Sequence, residues 1–146
     1  MGITLDISGA RKKTIQFKGT AEDKLILICR YVGEKFVKDA RKFSKAQGGF
    51  GDVTGNLRSS IGYFIVKNGE IVSSLIYSEA TGKDRKSGVS VGKQFIESWP
   101  KKSGIQLVGF AGMSYASHVE SRGLNVISIQ KEVALINLKD LLKNVA

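Results

Sequence analysis

The sequence predicts an α+β domain: an antiparallel sheet of about four or more strands, with a long N-terminal helix and a C-terminal helix packed on one face. Three observations carry this. Leu25, Ile28, Cys29, Val32, Phe36, Ala40 and Phe43 recur at helical spacing. Asn68-Gly69 stands between two alternating apolar runs, a strong hairpin signal because both turn positions take positive φ. Ala134, Leu135, Leu138, Leu141, Leu142 and Val145 then repeat the helical period near the C-terminus. The order strands, helix, hairpin, strand, short helix, strand, helix is that of an α+β domain.

Taken in order, residues 3–18 alternate loosely around a glycine-bearing break, so 1–19 reads as an N-terminal strand pair or an extended arm. Thr20-Ala21-Glu22-Asp23 is a capping signature, and the helix it opens runs to about Ala46, where Gln47-Gly48-Gly49 stops it. Ile61 to Lys67 and Glu70 to Tyr77 are the two hairpin strands. The segment 78–104 is rich in Gly, Ser and Lys and holds the single proline. It reads as a long basic loop with a buried aromatic foothold, Phe95 or Trp99. Ile105 to Ala111 is a third strand, Met113 to Gly123 a short helix or turn, Asn125 to Gln130 a fourth strand, and Lys131 to Ala146 the closing helix.

At 146 residues, with 42% hydrophobic and 25% charged side chains, the chain suits a single domain spanning 1–146. The run Leu25-Ile26-Leu27-Ile28-Cys29 is too short to cross a bilayer, so no membrane partner is expected. The opening MGITLDISG lacks a charged region followed by an apolar one, and a lone cysteine makes no internal disulfide; both fit synthesis and residence in a reducing cytoplasm. The formal charge of +10 and pI near 9.8 favour contact with polyanions or acidic partners without specifying either.

Catalytic motifs find little support. Gly51-Asp52-Val53-Thr54-Gly55 follows a helix rather than a strand, and Asn56-Leu57 replaces the Lys-Ser/Thr of a phosphate loop. A single histidine, His118, excludes His-rich metal sites. Ser117, His118 and Glu120 assemble a triad only on paper, and Glu79, Asp84 and Glu97 have nothing to fix their separation. Cys29 falls on the apolar stripe of its helix, as a core residue does. No enzyme, metal or cofactor is expected. The basic residues Lys12, Lys13, Lys83, Arg85, Lys86, Lys101 and Lys102 are candidates for facing DNA or a partner, with a solvated basic surface as the plain alternative. No helix-turn-helix, aromatic RNA-binding strand or zinc finger accompanies them.

Two islands remain: TGNLRSSI at 54–61 and YASHVESRG at 115–123. Together they resemble the paired signatures of the neck, or tail-completion, proteins at the head–tail junction of tailed bacteriophages, a family also described as minor tail components. Thr54, Gly55, Leu57, Arg58, Ser60 and Ile61 match the first signature; Tyr115, Ala116, Val119, Glu120 and Gly123 match the second. The family's proline before Thr-Gly is absent here, Ser121-Arg122-Gly123-Leu124 replaces its usual continuation, and the 78–104 segment is longer. The resemblance implies a non-catalytic virion part, made in the host cytoplasm and carried into the neck or tail. It would form a homo-oligomeric ring, meet neighbouring connector and tail proteins, and contact packaged DNA non-specifically. The alternative is a non-specific basic nucleic-acid-binding protein of another system, with a small hydrolase behind it. Arg58 and Glu120, one from each signature, are expected to form an ion pair within one subunit or across a subunit boundary.

Overall fold

The computed structural model of the chain describes residues 2–6, 20–42, 56–76, 85–124 and 126–143. In chain order these form β1 (Gly2–Asp6), α1 (Thr20–Lys42), α2 (Asn56–Ser59), β2 (Ile61–Lys67), β3 (Glu70–Ile76), α3 (Arg85–Ser98), β4 (Ile105–Ala111), α4 (Ala116–Ser121) and α5 (Ser128–Leu142). The fold is α+β. Strands β4, β2 and β3 make an antiparallel sheet in that order, with Ile61 opposite Ala111 and Gly62 opposite Ile76. Strand β1 runs antiparallel along the outer side of β4, from Gly2 opposite Phe110 to Asp6 opposite Gln106. The β2–β3 turn takes the expected form, with φ of 51° at Asn68 and 86° at Gly69. Its tip is tied to the approach to β4, because Asn68 N–H donates to the Gly104 carbonyl at 2.8 Å.

The N- and C-terminal helices pack against one sheet face. Leu25, Cys29, Val32, Phe36, Val37 and Ala40 of α1 and Ala134 and Leu138 of α5 close over Tyr63, Ile65 and Leu107. The fit between α1 and the sheet is reciprocal. Tyr63 and Gly109 face each other across β2 and β4. Gly33 lies over the Tyr63 ring and Phe36 over Gly109, so each large side chain meets a missing one. A Cβ on Gly109 would stand 2.6 Å from the Phe36 ring.

Two expectations are corrected. The 78–104 segment is not a loop throughout: Arg85–Ser98 is an α-helix of 14 residues. It covers the second face of the sheet, opposite the face shared by the N- and C-terminal helices. Phe64, Val66, Val108 and Phe110 point to this side and pack on Ile96, with Phe95 and Trp99 against them. The rings form a connected set, Phe95 stacked on Phe110 at 4.8 Å and Phe64 edge-on to Trp99 at 6.2 Å. The aromatic foothold is therefore real, but it anchors a helix. Finally, the described part of the expected fourth strand, 126–130, is not a strand, since α5 already begins at Ser128. The arm at 7–19, the helix end at 43–46 and residues 77–84 lie outside the described residues.

Candidate functional site

The first island enters the structure as α2 and the turn into β2. Leu57 is buried in the core and Ser60 is fully enclosed. Ser60 closes its own turn twice, its amide donating to the Leu57 carbonyl at 3.2 Å and its hydroxyl to the same oxygen at 2.8 Å. It also reaches across the chain. The Ser60 hydroxyl accepts the Met113 amide at 3.3 Å, and the Ser60 carbonyl accepts the Gly112 amide at 3.0 Å. These two bonds join the first island to the segment leading directly into the second. Gly92 of α3 lies against the same spot, for a Cβ on Gly112 would stand 3.1 Å from the Gly92 Cα. Thr54 and Gly55 lie outside the described residues.

Arg58 points back along α1. Its Nη1 donates to the carbonyl oxygen of Arg41 at 3.0 Å. The last carbonyls of a helix have no partner within it, and a cation there also meets the negative end of the helix dipole. Arg58 thus ties the C-terminal turn of α1 to the start of the sheet.

The second island is α4 and the reversal after it. Ala116 is completely buried, Val119 packs against the core, and Tyr115 keeps 38% of its surface exposed. At the end of α4, Gly123 adopts φ of 82° while its amide donates to the Glu120 carbonyl at 2.9 Å. That left-handed conformation favours glycine over residues with a Cβ. The chain then turns back, and the Glu120 side chain receives it. Its Oε1 accepts the amides of Val126, Ile127 and Ser128 at 3.1, 2.6 and 3.0 Å, and its Oε2 accepts a hydrogen bond from the Ser128 hydroxyl. The residue in the N-cap position of α5 is Ile127, which carries no acceptor of its own. Glu120 supplies the missing cap from outside the helix and sets a negative charge at its positive end.

The expected Arg58–Glu120 ion pair within one subunit is accordingly not formed. Each charge satisfies backbone groups at a helix end instead, Arg58 at α1 and Glu120 at α5. Because α1 and α5 lie together on one face of the sheet, the two signature charges secure the two halves of a single helical layer. Sequence reasoning found both residues but missed Ser60 as their link. Its partners are the amides of Gly112 and Met113, which no residue type advertises.

Of the basic candidates, Lys86 is exposed on α3, which Arg85 opens, and Lys101 and Lys102 are exposed beyond its end. Lys101 Nζ donates to the carbonyls of Glu97 and Trp99 at 3.3 and 3.4 Å, finishing α3 much as Arg58 finishes α1. Lys12, Lys13 and Lys83 lie outside the described residues. Ser117 and His118 are both exposed, while the Glu120 carboxylate is committed to α5. Burial pushes the Cys29 thiol up to about 12, so it stays protonated and inert at neutral pH. Among the described residues, no three His, Cys, Asp or Glu side chains come together as metal ligands, and no helix is long and apolar enough to cross a membrane. Against family models, curated proteins and solved structures, the chain finds no match.

Proposed function

We propose that this protein is a structural, non-catalytic component of a tailed-phage or prophage virion, acting in the neck or tail-completion ring at the head–tail junction. The observation that carries this reading is the link between the two signature islands: Ser60 of the first accepts the Gly112 and Met113 amides, and the Met113 carbonyl accepts the amide of Ala116 in the second. Residues more than fifty positions apart in sequence, matched to the family only as short strings, meet in one hydrogen-bonded unit. They also share one task, because Arg58 and Glu120 fix the ends of the two helices beside it. A subunit that must keep its shape while neighbours press on it gains from locking helix termini with charges rather than leaving them to fray.

In this reading identical subunits form a ring through heterologous contacts that close by rotation. The exposed lysines at 86, 101 and 102 face either the DNA path or an adjacent connector or tail protein. The protein is made in the host cytoplasm and ends in the particle. Phe64 and Phe110 are completely buried beneath α3 and so are not presented for stacking with bases.

The test is compositional and architectural. Particles released after prophage induction should contain the protein at a fixed copy number by quantitative mass spectrometry, with closed rings visible by negative-stain microscopy of purified material or of particle necks. Intact tailed particles lacking the protein would overturn the reading. Tight DNA binding by the isolated chain at physiological salt, with a steep salt dependence, would favour the nucleic-acid alternative.

A further inference from the structure

Helix α5 is apolar on more sides than its own fold uses. Gln130, Ala134 and Leu138 face inward, yet Ile129, Val133 and Ile136 are exposed by 48%, 38% and 61%. Their spacing of four and three, continued by Asp140, is the alternation that forms a seam between two helices. A helix apolar on both its inner and outer sides is one that something covers.

We infer that the outer stripe of α5 pairs antiparallel with the same stripe of a second copy of this chain, about a two-fold axis. The charges beside the stripe select that occupant. Glu132 and Lys139 are both exposed, lie seven residues apart on the same flank, and make no ion pair within their own chain among the described residues. In an antiparallel pair each flank meets itself, so Glu132 faces the partner copy's Lys139 and Lys139 its Glu132. In a parallel pair that flank would face the one bearing Gln130 and Asn137, which are buried and half-buried, and the charges would go unmatched. Asp140 at the end of the stripe lies 3.8 Å from Lys143 of its own chain, an exposed pair. The outer side of α5 is therefore locally balanced, Glu132 and Asp140 against Lys139 and Lys143, on a chain whose net charge is +10. Val133 packs against the partner copy's Ile136 at the centre, each contact occurring twice as a two-fold axis requires.

One helix face on each side makes a small interface, so the dimer is expected to be weak and concentration-dependent. It does not depend on the phage reading, which concerns different, ring-forming contacts. Sedimentation velocity across micromolar to millimolar concentration reads it directly. Wild type should shift from monomer toward dimer. Ile136→Glu, at a position exposed enough to leave the fold intact by circular dichroism, should weaken the dimer by roughly tenfold or more. Glu132→Lys and Lys139→Glu should each weaken it several-fold, and the double exchange should restore it to within about twofold of wild type. A chain monomeric throughout, a dimer indifferent to Ile136→Glu, or single charge changes that the double exchange does not rescue would each overturn the antiparallel pairing.

Discussion

The Glu120 carboxylate accepts the Ile127 amide at 2.6 Å and so serves as the cap of a helix it does not belong to. Three amide donors converge on one oxygen, and a fully formed helix end depends on a side chain from the preceding helix. Replacing Glu120 with Ala leaves those amides without their acceptor beside buried Val126 and Ile127. The expected cost is about 1–3 kcal/mol, the range for a lost cap and for charge-assisted bonds. Glu120→Gln keeps an acceptor but loses the charge and should recover part of that. Hydrogen exchange should show the loss concentrated in the first turns of α5, and a uniform change across the chain would contradict the capping role.

Arg58 and Glu120 secure different helices, so their contributions should add. Arg58→Ala is expected to cost about 1 kcal/mol through the lost bond to the Arg41 carbonyl. In urea unfolding, the double change to Ala at 58 and 120 should equal the sum of the singles within about 0.5 kcal/mol. Charge reversal at one position should not be rescued by reversal at the other in the isolated protein. Rescue would mean that the two side chains meet directly.

How much of this was legible in the sequence divides by whether the signal was local. The Asn68-Gly69 hairpin, the inward stripe of α1 and the short helix at α4 depend on residues close together, and they stand where the pattern put them. Helix α3 was hidden by composition: Gly88 and Gly92 each weaken a helix by about 1 kcal/mol against Ala, and serines and lysines complete the look of a loop. The compensation is non-local, since Gly92 admits the backbone at Gly112 and Phe95 stacks on Phe110. A clue did exist. Tyr63 and Ile65 alternate with Phe64 and Val66 along β2, so both faces of that strand are apolar and both need a cover. Residues 125–130 alternate like a strand, but the carboxylate that starts α5 lies eight residues before Ser128, beyond any periodicity window centred on the helix. The site was legible as two strings of residues; the backbone bonds joining them were not.

Gly33 and Tyr63 set the approach of α1 to the sheet. A Cβ on Gly33 would overlap the Tyr63 ring, which is almost fully buried. Helix propensity alone would make Gly33→Ala stabilising by about 1 kcal/mol. Overpacking opposes it with about 1–3 kcal/mol, because the whole helix must lift to clear the ring. The expected outcome is net destabilisation, with Gly33→Ala lowering the urea midpoint. A smaller residue at 63 should relieve the clash, so Gly33→Ala should cost less in a Tyr63→Val background than in wild type. Equal cost in both backgrounds would show that the ring is not the obstacle.

Alkaline pH should unlock the same face of the sheet. Burial pushes the Cys29 thiol from 9.0 up to about 12. Burial is also the main cause raising the Tyr63 phenol above its ordinary value of 10.0. Both groups hold their protons more tightly folded than unfolded. Their contribution is therefore complete below pH 9 for the thiol and below pH 10 for the phenol, and it is lost as pH climbs toward the folded values. A second effect runs the other way: lysines losing charge relieve the repulsion of a strongly basic chain. Comparing variants cancels that background. In urea unfolding, wild type minus Cys29→Ala should be constant from pH 7 to 9 and then shrink as pH rises toward 11. Wild type minus Tyr63→Phe should begin to change only above pH 10. A thiol probe should likewise react with Cys29 at pH 8 only as fast as the protein opens. Rapid labelling of the folded protein at that pH, or a Cys29→Ala difference independent of pH, would contradict the burial of the thiol beneath α1.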